Sequence, residues 1–149
     1  MDQRDVEDRL SVAIEALFLN DSILLEYDVG ERTVAAKLCA YLSGVFPSHN
    51  VDVEYNRHGL DPKVVNLPRE CGNGAERLIL PDLIVHRRGR DGANLLAIEI
   101  KKETNKESRD CDRAKLKGLK RELGYTYGVL LELPAGPDAS RRKAREEWI

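Results

Sequence analysis

Apolar residues recur every three or four positions in two segments near the N-terminus, and this spacing predicts two amphipathic helices. The first helix covers residues 5–19, with Val6 and Leu10 on its apolar stripe. The polar residues 20–22 break the pattern and are expected to end this helix. The same periodicity returns over residues 29–45 and predicts the second helix.

The start of the second helix carries a capping signature. Asp28 is a good N-cap residue and Glu31 follows three residues later, so the two predict a capping box. Val34 and Leu38 begin the apolar stripe of this helix. Pro47 is expected to end it, because proline lacks the backbone N–H that a helix needs.

The middle of the chain changes to the patterns of β-strands. Residues 51–57 alternate apolar and polar side chains, which predicts a half-buried strand, and the polar residues 58–75 predict a loop. Residues 78–86 and 95–101 are the strongest strand segments. The linker over residues 87–94 contains Asp-Gly, so these two strands are predicted to form a β-hairpin.

The C-terminal part predicts a helix, a strand and another helix. Residues 106–123 form the helix, with Gly124 directly after its end, and residues 127–133 form the strand. Asp138 is expected to cap a last helix over residues 138–148. The element order predicts an α/β fold, with three α/β/α layers around a central mixed sheet of about four strands.

Composition is that of one globular domain. The 149 residues are 42% hydrophobic and 34% charged, which is typical of a chain with a packed core. The apolar runs are far shorter than the ~20 residues that span a bilayer, and no signal-peptide core is visible. We therefore expect a cytoplasmic protein with no membrane partner. Cys39, Cys71 and Cys111 show no metal-finger spacing, so reduced, non-catalytic thiols are expected.

Net charge is −2, so a nucleic-acid ligand would need a local basic patch. The first candidate patch comprises Arg87, Arg88 and Arg90. The second comprises Lys115, Lys117, Lys120 and Arg121, followed later by Arg141, Arg142, Lys143 and Arg145. Solvated loops and helix faces explain such runs equally well, and both interpretations stay open here.

The two strongest strands carry charges inside apolar runs. Side chains alternate faces along a strand, so Glu99 and Lys101 project together, beside the small Ala97. In a hairpin, Asp82 would lie opposite Glu99 in one register and opposite Lys101 in the other. Both registers gather Asp82, Glu99 and Lys101 on one face of the sheet, and a one-residue bulge would separate them.

Two carboxylates that close repel each other unless they bind a proton or share a cation. Mg²⁺ favours one or two carboxylates together with water and phosphate oxygens. A metal held by Asp82 and Glu99 would activate a water molecule, and Lys101 could stabilise the charge that develops on a phosphate. The alternative is a structural cross-strand ion pair on an exposed face of the sheet.

The motif Pro81-Asp82, sixteen further residues, then Glu99-Ile100-Lys101 resembles that of the PD-(D/E)XK nuclease superfamily, the restriction-endonuclease-like fold. The resemblance covers roughly residues 28–133. It implies Mg²⁺-dependent cleavage of DNA, less often of RNA, with Mn²⁺ as a substitute metal. Many such nucleases dimerise to cut both strands, so the resemblance also raises a homodimer as a candidate assembly.

Residue roles follow from the same resemblance. Asp82, Glu99 and the carbonyl of Ile100 would hold the metal, and Lys101 would be the catalytic lysine. Glu31 corresponds to a helical glutamate that often joins the metal site through water, while the capping box is its alternative role. Arg87, Arg88 and Lys115 are candidate contacts to nucleic acid.

Two other interpretations stay open at the level of the sequence. Asp112 and Lys115, early in the helix after the motif, could position the active-site strand or contact a phosphate, and Asp112 could simply favour the helix dipole. The alternative function is a catalytically inactive nuclease-like module that binds nucleic acid or a protein partner.

Overall fold

The computed structural model describes residues 1–72, 79–90 and 92–149, and it shows an α/β fold with a mixed five-stranded sheet. The helices are α1 (Gln3–Glu26), α2 (Glu31–Val45) and α3 (Asp110–Leu123). The sheet has the order β1-β4-β5-β6-β7. Its strands are β1 (Asn50–Val53), β4 (Leu83–His86), β5 (Leu96–Lys102), β6 (Tyr127–Leu133) and β7 (Arg145–Trp148).

Alternate residues of the central strands enter two separate hydrophobic clusters. Leu96, Ile98 and Ile100 of β5 pack in the cluster that also contains the buried residues of α1 and α2. Ala97 of β5 packs in the other cluster, with Leu116 and other residues of α3. The predicted alternation of β5 is therefore confirmed, and Glu99 and Lys101 belong to the face that α3 covers.

The register of the β4–β5 hairpin settles which residue faces Asp82. Leu83 pairs with Ile98 in the antiparallel ladder, and extending this register by one residue places Asp82 opposite Glu99. The first of the two predicted registers is therefore confirmed. The other edge of β5 pairs in parallel with β6, which makes the sheet mixed.

The predicted C-terminal helix is wrong. A short 3-10 turn occupies Ala139–Arg141, and Arg145–Trp148 forms strand β7. This strand pairs antiparallel with β6 and satisfies a sheet edge that would otherwise be open. The charged residues of this segment have good helix propensity, but pairing with β6 overrides that preference and gives the sheet five strands instead of about four.

The predicted break over residues 20–22 is present as a kink, but the helix does not end there. α1 continues through residues 20–22, and Asp21 only kinks it, with non-helical dihedral angles of −132° and 24°. The Tyr41 hydroxyl of α2 donates a hydrogen bond to the Asp21 carboxylate. Leu25 lies beyond the kink and is fully buried in the core, so tertiary packing favours the extra turn over the local turn signal.

The predicted loop over residues 58–75 contains regular structure in its described part. Strands β2 (Arg57–His58) and β3 (Asp61–Pro62) form a small hairpin, and Arg69–Cys71 forms a 3-10 turn. The predicted strand that begins at Leu78 falls partly outside the described residues, and of its described part only Leu83–His86 forms β4. Two other boundaries move inward: β1 ends at Val53, and α3 begins at Asp110.

The expectation of three reduced cysteines is wrong for two of them. Cys71 and Cys111 form a disulfide across 40 residues of sequence, with their Cα atoms 5.2 Å apart, and Cys39 is free. Spacing along the chain could not show this pairing, because it depends on how residues 63–72 lie against α3. Within the described part of the chain, no helix has the length and apolar character that crossing a membrane requires.

Candidate active site

Asp82 is the residue directly before β4. Strand β5 continues past the start of β4, and Asp82 lies beside this unpaired edge of β5. Its Oδ2 atom accepts a hydrogen bond of 2.7 Å from the backbone N–H of Ile100. The N–H and C=O of one strand residue point to the same edge, so the Ile100 carbonyl also faces this edge. The hairpin thus places the Asp82 carboxylate and the Ile100 carbonyl beside each other.

Glu99 is the buried carboxylate of the site, with only 1% of the residue exposed. Its Oε2 atom lies 2.7 Å from the Nζ atom of Lys115, one of the residues of α3. Its Oε1 atom lies 3.4 Å from the backbone nitrogen of Asp82, which places the two acids side by side. Lys115 also donates to the carbonyl of Leu80, at 3.2 Å.

Lys101 lies on the same face as Glu99, two residues further along β5, but its ammonium has different partners. The Nζ atom is 3.5 Å from Asp112 of α3 and 3.6 Å from Glu107. The two lysines of this face therefore have different partners: Lys115 contacts Glu99 directly, whereas Lys101 contacts Asp112 and Glu107.

Glu31 reaches the site from the opposite face of the sheet. Gly30, not Asp28, is the N-cap of α2, so the predicted capping box is wrong. Asp28 instead adopts a positive φ of 51°. Its side chain accepts hydrogen bonds from Lys102 and Thr104. Gly30 caps α2 without a side-chain hydrogen bond, so Glu31 has no capping-box partner.

The Glu31 carboxylate is directed toward the end of β5. It accepts from the side-chain amide of Asn105 at 2.9 Å and lies 3.4 Å from the backbone nitrogen of Lys102. Asp82 thus accepts a hydrogen bond from the backbone N–H of Ile100, and Glu31 accepts one from that of Lys102. These are consecutive N–H groups along the same edge of β5. The negative charge of Glu31 also raises the pKa of Asp82, so the two carboxylates interact.

Burial dominates the electrostatics of the acid pair. It raises the pKa of Glu99 to about 8, with Lys115 opposing the rise and Asp82 adding to it. Burial also raises the pKa of Asp82, against the hydrogen bond from Ile100 and the charge of Lys115. Burial disfavours the charge of Lys115, but the charge of Glu99 offsets it and leaves the pKa of Lys115 raised.

The oxygen atoms of Asp82, Glu99 and the Ile100 carbonyl are of the type that a hard divalent cation binds. Burial raises the pKa of both Glu99 and Asp82 and Lys115 only partly opposes it, so a bound cation would favour their ionised forms. Mg²⁺ needs only one or two carboxylates when water and a phosphate complete its shell. Over residues 1–72, 79–90 and 92–149, no group of three or more His, Cys, Asp or Glu side chains is arranged to hold a metal by itself.

The first candidate basic patch lies at the other end of β4 from Asp82. Arg87 and Arg88 follow His86 at this end. The Arg88 guanidinium is bound to Asp52 of β1, and His86 lies 2.7 Å from the same carboxylate. Arg88 is thus partly neutralised, and the length of β4 separates it from the acid pair.

Sequence reasoning did not find the Glu99–Lys115 ion pair or the contact between Glu31 and Asn105. The spacing of Asp112 and Lys115 on one helix was the available signal, but their partners depend on how α3 crosses β5. Comparison with known protein families, with curated proteins and with solved structures finds no match to this chain.

Proposed function

We propose that this protein is a metal-dependent nuclease with a restriction-endonuclease-like, three-layer fold, which hydrolyses phosphodiester bonds of DNA. The observation that carries the proposal is the pairing of Asp82 with buried Glu99 at the end of a hairpin, with Lys115 in contact with Glu99 and Lys101 on the same face of β5. An ion pair formed only for stability has little reason to bury two repelling acids together.

Asp82, Glu99 and the Ile100 carbonyl would hold Mg²⁺ or Mn²⁺, with Glu31 acting through water. The metal, when bound, supplies a Lewis acid that lowers the pKa of a coordinated water. Lys101 lies on the same face and would bind a phosphate oxygen or orient the attacking water. Asp112 and Glu107 hold its ammonium on this face.

Lys115 has a different role in this proposal. Its ammonium holds Glu99 in place at the base of the site, and its side chain is largely buried, at 20% exposure. We therefore assign it to positioning the acid rather than to the basic surface that the sequence indicated. The remaining basic residues would contact the DNA backbone, which carries a negative charge on every nucleotide.

The test is cleavage of single-stranded and duplex DNA, and of RNA, in Mg²⁺, Mn²⁺ or EDTA. Asp82→Asn, Glu99→Gln and Lys101→Ala should each lower the rate at least about a hundredfold, as loss of a charge-stabilising group does. Glu15→Gln, on the exposed face of α1, is the matched control and should cut like the wild type. Equal cleavage by wild type and all three site variants contradicts the proposal.

A second candidate function is a nuclease-like module that binds nucleic acid without cutting it. The Glu99–Lys115 pair favours it, because an ammonium already satisfies a carboxylate that a nuclease would use for its metal. This alternative predicts Mg²⁺-independent binding of the same oligonucleotides, which fluorescence anisotropy would detect, and no cleavage under any metal condition.

A further inference from the structure

The disulfide between Cys71 and Cys111 joins the segment of residues 63–72 to the first turn of α3. Further along the helix, the same segment is held without covalent bonds. Val65 packs so tightly on Gly118 that an added Cβ would lie 3.0 Å from its Cγ2 atom. The backbone nitrogen of Asn66 donates to the carboxylate of Glu122, at 2.9 Å. The disulfide thus fixes the end of α3 that approaches the acid pair.

The residues at this end of α3 belong to the candidate active site. Cys111 and Lys115 are four residues apart and therefore lie on one face of the helix. Asp112, which contacts Lys101, is the next residue after Cys111. A cleft of about 250 Å³ is lined by both cysteines of the disulfide and by Asp112 and Lys115 of α3.

We propose that the Cys71–Cys111 pair is a redox-modification site that controls the candidate active site. In the oxidised protein, the bond fixes the first turns of α3, so that Lys115 meets Glu99 and Asp112 meets Lys101. Reduction leaves this end of the helix with non-covalent contacts alone, and the two lysines lose their fixed positions. The effect on catalysis rests on the proposed function, but the effect on α3 does not.

The chemistry is thiol–disulfide exchange with a dithiol reductant. A thiolate of the dithiol attacks one sulfur, the S–S bond breaks, and a mixed disulfide forms while the other cysteine leaves as a thiolate. The second thiol of the reductant resolves this intermediate, so the reductant becomes a disulfide and its two protons complete two cysteine thiols. Both cysteines are partly exposed in the cleft, which gives a reductant access.

The test compares oxidised protein with protein reduced by dithiothreitol, using hydrogen exchange measured by mass spectrometry. Peptides over residues 110–116 should exchange at least about tenfold faster after reduction, whereas α2 should be unchanged. The melting temperature should fall by about 5–10 °C, because a disulfide closing a loop of this length restricts the unfolded chain. Thiol titration should find one reactive group, Cys39, in oxidised protein denatured without reductant.

Cysteine variants show whether an effect comes from loss of the disulfide or from the reductant itself. Cys71→Ser and Cys111→Ser should each match reduced wild type in exchange and melting, without any response to dithiothreitol. Cys39→Ser is the matched control, because it keeps the disulfide and should respond like the wild type. Reduced wild type serves in place of either variant that fails to fold.

The outcomes distinguish this inference from the proposed nuclease activity. Equal exchange over residues 110–116 in oxidised and reduced protein overturns the redox control, and so does titration of three thiols in the oxidised protein. Altered exchange without cleavage in either state supports the redox control and contradicts the nuclease. If the nuclease is correct, reduction should slow cleavage about tenfold to a hundredfold, as small displacements of catalytic groups do.

Discussion

The carboxylate of Glu99 on β5 lies 2.7 Å from the ammonium of Lys115 on α3. Their side chains are 2% and 20% exposed, so the pair lies inside the contact between the sheet and the helix. Removing one partner from such a pair leaves the other charge without compensation, which costs more than the pair contributes. The ion pair therefore couples the candidate active site to the packing of α3.

Replacing Lys115 should destabilise the protein through this coupling. We expect Lys115→Met to lower the free energy of unfolding by about 1–3 kcal/mol, below the full cost of a deeply buried pair because Lys115 is partly exposed. The double variant Glu99→Gln, Lys115→Met should recover most of the loss. Urea unfolding in EDTA above pH 8, where Glu99 is ionised, measures both, with the exposed Lys117→Met as matched control. A Lys115 variant as stable as the Lys117 variant would show that the pair contributes nothing.

The pH dependence of stability should report the same site. Burial raises the pKa of Glu99 from its usual 4.5 to about 8. Between these values the folded protein holds a proton that the unfolded chain has lost, so the free energy of unfolding falls as pH rises. The stability that Glu99 contributes through this proton is present in full below pH 4.5 and is lost above about pH 8.

Comparison with Glu99→Gln isolates this contribution, because other groups titrate over the same range. Burial lowers the pKa of His86, which acts in the opposite direction by favouring stability at higher pH. Wild type should lose a few kcal/mol (~3–5) relative to Glu99→Gln between pH 4.5 and 8, measured by urea unfolding in EDTA. Parallel stability curves for the two proteins would rule out an unusual pKa at Glu99.

Glu31→Gln should weaken metal binding without weakening the fold. Glutamine keeps an oxygen that can accept from Asn105 and Lys102, so stability should change by no more than about 0.5 kcal/mol. Loss of the negative charge beside Asp82 should raise the Kd for Mg²⁺ about tenfold, as removal of outer partners of metal sites does. Isothermal titration calorimetry measures the Kd, with Glu15→Gln as control. Equal values for the two variants would assign Glu31 a structural role alone.

Gly118→Ala tests the close contact between α3 and residues 63–72. The added methyl group would lie 3.0 Å from the Val65 side chain, so overpacking should outweigh the gain in helix propensity and cost about 1–2 kcal/mol net. Gly44→Ala, in α2, meets nothing within 4 Å and should be neutral or stabilising by up to about 1 kcal/mol. Adding Val65→Ala to Gly118→Ala makes room for the methyl group, and the cost of the glycine substitution should then disappear.

Local patterns predicted the central elements of the fold well. The alternation of β5 and the hairpin pairing are short-range properties, and the structure confirms the alternation and one of the two registers that the sequence left open. Gly124 follows α3 with a positive φ of 69°, as the predicted helix end requires. The placement of Asp82 and Glu99 on one face followed from these features, and the observed register then set them opposite each other.

Other features depended on partners that are distant in the sequence. The segment that forms β7 has the composition of a helix, but it pairs with the edge of β6. The disulfide links residues 40 positions apart, and the partner of Glu99 comes from a helix whose crossing angle no local pattern encodes.

The sequence by itself determined the hairpin and the face of the sheet that carries Asp82, Glu99 and Lys101, because side-chain alternation and turn chemistry act between neighbouring residues. Only the tertiary structure decided that Lys115 contacts Glu99, that Glu31 is directed at β5, and that Cys71 meets Cys111. These contacts form when separate elements pack, and burial then sets the charges and pKa values of the groups they bring together.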